Sequence, residues 1–222
     1  MHDLVEQTPQ LLPLAGAPQI TVLGREVGLG GGRADLIAVE SSGRLVIIEV
    51  KLSASSEARR AVVAQVLSYA AYLQGFQVAQ LESDVLGTHL ADRGADTVLG
   101  AVEADDQQHA IEPRAFADGL AECLREGSFR LVFVLDDAPT ELTQMAGYLQ
   151  SLTDRIQIDL IAVAAYDVNG SRILVPQRIE PARRVSQLTQ AEANARQSTA
   201  LTRGRPTSAR LLPRHRPTSE SS

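Results

Sequence analysis

The chain has 222 residues, 44% of them hydrophobic and 22% charged, which is the composition of a globular protein with enough length to bury a sizeable core. No stretch approaches the ~18 consecutive apolar residues of a membrane span, and a single cysteine excludes an intrachain disulfide. The net charge of −6 is uneven: residues 181–222 hold eight Arg, no Lys and two Glu, a balance of +6 that leaves −12 on residues 1–180. The body is therefore not a generally basic nucleic-acid module, and any contact with nucleic acid has to be local. The opening "MHDLVEQTPQLLPL" lacks a basic region followed by a long apolar core, so no secretory signal is read and a reducing cytoplasm is expected.

In chain order, residues 2–8 predict a short helix ended by Pro9, and "QITVLGREVGL", 19–29, a strand or two. Gly30, Gly31 and Gly32 then lead into a hairpin over 33–52. "SSEARRAVVAQVLSYAAYLQGF", 55–76, predicts a helix capped at Ser55 or Ser56 and ended by Gly75, with Ala58, Val62, Val66, Tyr69 and Leu73 on its apolar face. Residues 77–112 read as irregular and acidic, with a helical piece near 78–86. A helix at 112–126 follows, holding Cys123 as a small core hydrophobe. "FRLVFVLDD" is a strand, "PTELTQMAGYLQSLTD" a helix and "IQIDLIAVAAYD" a strand. Asn169-Gly170 is a two-residue hairpin turn into "SRILVPQ". Residues 185–222 are poor in apolar groups and read as disordered, apart from a helical piece at 186–197. Alternating strands and helices imply an α/β sandwich around a mixed sheet, with a domain at 1–180 and a basic tail at 181–222.

The hairpin holds the chemistry. Its second strand, "RLVIIEVKL", is apolar on both faces, yet places Glu49 and Lys51 two residues apart and so on one face. Lys51 is the only lysine among 21 Lys plus Arg. Lysine is a compact charge whose pKa falls on burial, whereas arginine is a permanently charged fork, so this position calls for lysine chemistry. A three-residue loop at 41–43, with Gly43 in the left-handed position, pairs Glu40 with Arg44 and sets Asp35 opposite Glu49. A two-residue loop would send the two carboxylates to opposite faces. Two facing carboxylates repel unless a hard cation neutralises them. Mg²⁺ or Mn²⁺ fits that role, held by Asp35 and Glu49 with the Val50 carbonyl in reach. Lys51 then lies beside the attacking water, where it orients or deprotonates it and stabilises charge on a phosphate. Such a trio suits hydrolysis of a phosphodiester.

"GRADLIAVESSGRLVIIEVKLS" resembles the core motif of the PD-(D/E)xK nuclease superfamily: an Asp on one strand, here Asp35, then Glu-x-Lys on the next, here Glu49, Val50 and Lys51. Gln65 and Tyr69 on the following helix match the Gln-x-x-x-Tyr of RecB-like members. The segment is most similar to the nuclease domain of archaeal-type mismatch endonucleases and their bacterial relatives, over residues 19–75. The resemblance implies a restriction-endonuclease-like core with a central mixed sheet flanked by helices. It implies a metal-dependent nuclease, with Gln65 and Tyr69 orienting substrate or catalytic groups. Two departures stand out. Only Glu6 offers the acidic residue often found in that group's first helix, off the expected offset. The group's N-terminal DNA-binding domain has no counterpart in this sequence, so its substrate is not carried over.

Other features weigh less. Arg33 follows the glycine turn, and Arg59 and Arg60 open the next helix; each is a solvated charge or a grip on a phosphate backbone. Asp136-Asp137 read as helix capping ahead of Pro139 rather than a second metal site. His2, His89, His109 and His215 show no ligand spacing, so no zinc is expected. The reading is an Mg²⁺- or Mn²⁺-dependent nuclease acting on nucleic acid, on DNA before RNA, with no membrane partner and a homodimer left open. The alternative is a nuclease-fold protein that binds nucleic acid or a partner without cutting.

Overall fold

The computed structural model describes residues 2–51, 56–105 and 111–181. A six-stranded mixed sheet forms its centre, and the spatial order of the strands is their chain order. Strands β1 (Ile20–Leu29), β2 (Gly32–Glu40) and β3 (Leu45–Lys51) run antiparallel. Strands β4 (Arg130–Leu135) and β5 (Gln157–Val168) continue parallel to β3, and β6 (Ser171–Ile179) returns antiparallel at the edge. The helices are α1 (His2–Gln7), α2 (Ser56–Leu73), α3 (Val78–Gln80), α4 (Gly87–Asp92), α5 (Val98–Asp105), α6 (Pro113–Glu126) and α7 (Thr140–Leu152). Among the described residues no helix is long and apolar enough to cross a membrane.

Both faces of the sheet are covered, which explains why β3 and β4 are apolar on both faces apart from Glu49, Lys51 and Arg130. On one face Ile37, Val39, Leu45, Ile47, Leu131 and Phe133 pack under α2, α6 and α7. On the other, Leu36, Ala38, Val46, Ile48, Val132 and Val134 are closed over by Val5, Leu12 and Leu14 of the N-terminal segment. Two buried apolar layers of this kind supply most of the driving force for a fold of this size. The Asn169-Gly170 turn forms as the dipeptide predicts, at φ +50° and +80°, between Val168 and its partner Ser171.

Three expectations need correction or refinement. The helical piece expected near 78–86 forms, as α3 and a π-helical turn at Leu81–Val85, but the rest of 77–105 is not irregular: α4 and α5 follow, and the segment buries Leu81, Leu86, Leu90, Val98 and Val102. Gly87 and Gly94 interrupt the apolar spacing, so no single helical period runs through the segment. Tertiary burial supports helices too short to persist alone. The 19–29 stretch is one strand, but its register slips between Val22 and Gly24, and Glu26 takes a left-handed φ of +52°. Helix α7 has Pro139 in the capping position, rather than Asp136 or Asp137. The 106–110 segment, residues 52–55 with the Ser55 cap, and the tail from 182 lie outside the described residues.

The β2–β3 turn is fixed by close backbone contact with α6. Gly43 has φ +85°, and a Cβ there would sit 2.4 Å from the Phe116 carbonyl oxygen. Facing it, a Cβ on Gly119 would sit 2.1 Å from the Ser42 carbonyl oxygen. Two glycines thus let a hairpin loop lie directly on a helix backbone. Alanine normally stabilises a helix interior by about 1 kcal/mol over glycine. Gly119→Ala is expected to do the reverse, lowering stability by about 2 kcal/mol or more because the loop has to move. Urea denaturation checks the sign; a more stable variant would contradict the close approach.

Candidate active site

The register of β2 on β3 sets the site. Leu36 pairs with Ile48, Ile37 with Ile47, Ala38 with Val46 and Val39 with Leu45. The turn closes through Gly43 N–H to the Glu40 carbonyl at 2.9 Å and Glu40 N–H to the Arg44 carbonyl at 2.9 Å. This is the three-residue-loop register, and it brings Asp35 level with Glu49. Ladder pairing stops at Leu36 and Ile48. One residue further, the Asp35 carboxylate takes the place of a backbone acceptor: Oδ2 accepts from the Val50 N–H at 2.7 Å. That bond holds the Asp35 side chain over β3 beside Glu49.

Glu49 faces the α2 side and is buried, at 2% exposure. Its Oε2 accepts no hydrogen bond and is the one buried side-chain polar atom without a partner among the described residues. Burial first, then the neighbouring Asp35 carboxylate, push its acid up to about 7, against the pull of Lys51 and the Asp35 backbone N–H. Lys51, at the end of β3, is half-buried on the same face and pairs in register with Leu135 of β4. The Asp35, Glu49 and Lys51 side chains therefore gather where β3 ends, and parallel sheets place ligands at such strand ends.

Gln65 and Tyr69 come together but act at a distance from the carboxylates. Gln65 Nε2 donates to the Tyr69 hydroxyl at 2.6 Å, and that hydroxyl donates to the Arg33 carbonyl at 2.6 Å. The Tyr69 hydroxyl lies so close under Gly32 that a Cβ there would be 2.7 Å away. The pair thus pins the start of β2, two residues ahead of Asp35. Arg33 itself is exposed. The side chains of Arg59 and Arg60 lie outside the described part. Cys123 behaves as expected: it is buried, burial pushes its thiol up, and its sulfur accepts from the Leu45 N–H at 3.3 Å.

Sequence reasoning missed His2. Its Nε2 lies 3.3 Å from Asp35 Oδ2, brought there by α1. The signal was invisible because the two residues are far apart in the chain and no ligand spacing links them. Glu6, on the same helix, faces away and pairs with Arg25 at 3.3 Å.

No family model, curated protein or solved structure matches the chain. Whether the residues suit a divalent cation is decided by their donor atoms. Among the described residues no three His, Cys, Asp or Glu side chains form a ready cage. The orphaned Glu49 Oε2 is nonetheless a buried oxygen without a donor, next to a second carboxylate. A hard cation completed by water, as Mg²⁺ usually is, needs only one or two such oxygens. Asp35 and Glu49 fit that role, with the Val50 carbonyl as a further oxygen on the same strand.

The Glu49 shift makes folding pH-dependent. An unfolded Glu ionises near 4.5, whereas the folded one holds its proton to about 7. Stability is full below the unfolded value and is lost as pH rises through the folded value, by roughly 3 kcal/mol for a shift of this size. Glu49→Gln removes that slope. Urea denaturation in EDTA at pH 5 and pH 8 is expected to show wild type losing stability with pH and the variant losing clearly less. Equal slopes would contradict the buried, unpaired carboxyl.

Proposed function

We propose that the protein is a metal-dependent nuclease that hydrolyses phosphodiester bonds, with DNA as the favoured substrate. The observation that supports this most is the register of the hairpin. It gathers two carboxylates and the chain's only lysine at one strand end, with one carboxylate oxygen buried and unsatisfied. A carboxylate left in that state costs on the order of 1–3 kcal/mol or more, a cost that a purely structural hairpin has no reason to keep.

Asp35 and Glu49 would hold the cation, Mg²⁺ or Mn²⁺, with the Val50 carbonyl as a further donor. When bound, the cation supplies Lewis-acid activation of the attacking water and neutralises charge on the scissile phosphate. The Asp35 carboxylate is kept in place by the Val50 N–H and by His2. Lys51 stands beside the reacting water; its ammonium orients that water and stabilises the negative charge that develops on the phosphate oxygens. Gln65 and Tyr69 hold the Arg33 carbonyl and so fix the approach of β2, a positioning role.

The experiment is cleavage of labelled single-strand, duplex, mismatched, flapped and branched DNA, and of RNA, with Mg²⁺ or Mn²⁺. Wild type is run beside Lys51→Ala and Asp35→Ala. Metal-dependent cutting is expected, lost by a factor of about a hundred or more in each variant. Millimolar Mn²⁺ is also expected to raise the melting temperature of wild type but not of Asp35→Ala, because a ligand that binds only the folded state stabilises it. Absence of both effects would favour a nuclease-fold protein that binds without cutting.

A further inference from the structure

The turn at residues 30–32 and helix α2 leave an open groove between them. Two of its glycines are required by the fold. Gly30 has φ +59°, and Gly32 has no room for a Cβ beneath the Tyr69 hydroxyl. Gly31 is required by neither condition. Its φ is not positive, and a Cβ there would meet nothing within 4 Å. The absence of a side chain at Gly31 leaves that part of the groove bare.

Across the groove stands Tyr72, 42% exposed. Its ring lies close to Gly30, where a Cβ would come within 3.1 Å of Tyr72 Cδ2, and the Phe76 ring packs against it, tilted, at a centroid distance of 5.2 Å. A large aromatic packed beside a glycine turn and a second ring, and still open to solvent, is suited to base stacking. The charge pattern points the same way. Residues 1–180 carry −12, yet among the described residues no acidic side chain lines this groove. The groove passes the Gln65 and Tyr69 pair, whose hydroxyl holds the Arg33 carbonyl, and Arg33 is an exposed cation two residues from Asp35.

We infer that this groove receives an unpaired nucleotide of the substrate, its base stacked on Tyr72, so that the site acts on single-stranded or frayed nucleic acid. The link to cleavage rests on the nuclease reading above; the binding does not. Bases inside a duplex have no free face to offer a tyrosine, whereas an unpaired base of any identity does. An acidic body disfavours a long track of duplex phosphates, while a short single-stranded segment asks for one stacked base and one or two cationic contacts.

The test is binding of oligonucleotides carrying 2-aminopurine, as single-stranded DNA, single-stranded RNA and duplex DNA. It uses the full chain with Lys51→Ala to suppress turnover, in Mg²⁺. Single strands are expected to bind more tightly than duplex and to quench 2-aminopurine fluorescence; the DNA and RNA arms show which strand is taken. Tyr72→Ala is expected to weaken single-strand binding about tenfold or more and to abolish the quenching, while Tyr72→Trp retains both. Gly31→Leu fills the floor where there is open space and is expected to weaken binding as well without unfolding the chain, which circular dichroism checks. Duplex preference, no single-strand binding, or unchanged binding in folded Tyr72→Ala would overturn the inference. Cleavage by the chain with Lys51 intact separates the two readings. Cutting that needs Lys51 but ignores Tyr72→Ala removes the groove and leaves the nuclease. Tyr72-dependent binding without any metal-dependent cutting leaves the groove and removes the nuclease.

Discussion

The site depends on a contact far from it, the approach of the 41–43 loop to the backbone of α6. Gly43 and Gly119 meet there with no room for a Cβ on either. This contact fixes the length of the turn, and the length of the turn fixes the register of β2 on β3. Side chains alternate faces along a strand, so a slip of one residue would carry Asp35 to the face opposite Glu49. Because residues 36–39 of β2 are apolar and buried on both faces, the turn rather than the apolar pattern carries this register. The carboxylate pair is held together against its own repulsion by elements whose stability lies elsewhere.

Two clusters of buried charge in this protein are treated in opposite ways. At the far end of the sheet, Arg130 donates from Nε to Glu40, from Nη1 to Asp159 and from Nη2 to the Ala15 carbonyl. Asp159 also accepts from the Ala15 N–H, and Glu40 from the Ser42 hydroxyl. Every partner is satisfied, and the network ties the N-terminal segment across β2, β4 and β5. Buried ions cost so much to desolvate that such closure is the rule. Glu49 breaks that rule: it is equally buried, faces another carboxylate and keeps one oxygen empty. The contrast, with the other buried charges among the described residues satisfied, is what supports the proposed cation seat at Glu49.

Much of this was legible in the sequence because it rests on short-range rules. Gly43 at the third loop position, the two-residue spacing of Glu49 and Lys51, the Asn169-Gly170 turn and the strand–helix alternation each follow from local stereochemistry. What the sequence concealed was long-range. His2 reaches Asp35 only because α1 folds back over the sheet, and nothing local to Arg130 signals that Glu40 and Asp159 lie beside it. Helices α4 and α5, beyond the piece expected near 78–86, were hidden for a different reason. Their apolar residues are spaced by two glycines and a π turn, so no regular period survives, and burial against the sheet organises them. Gln65 and Tyr69 were placed on one helical face as expected, but their target is the Arg33 carbonyl rather than the carboxylates.

On the proposed reading the hairpin presents Asp35 and Glu49 as a seat for a hard divalent cation, with Lys51 beside it and a groove leading in past Tyr72. The most direct test is diffraction from crystals grown with Mn²⁺, recorded at a wavelength where manganese scatters anomalously. The account predicts an anomalous peak within ligand distance, about 2 Å, of oxygens from both Asp35 and Glu49, with Glu49 Oε2 among them, and none in crystals of Asp35→Ala. An intact site with no peak at millimolar Mn²⁺, or a peak that avoids Glu49, would contradict it.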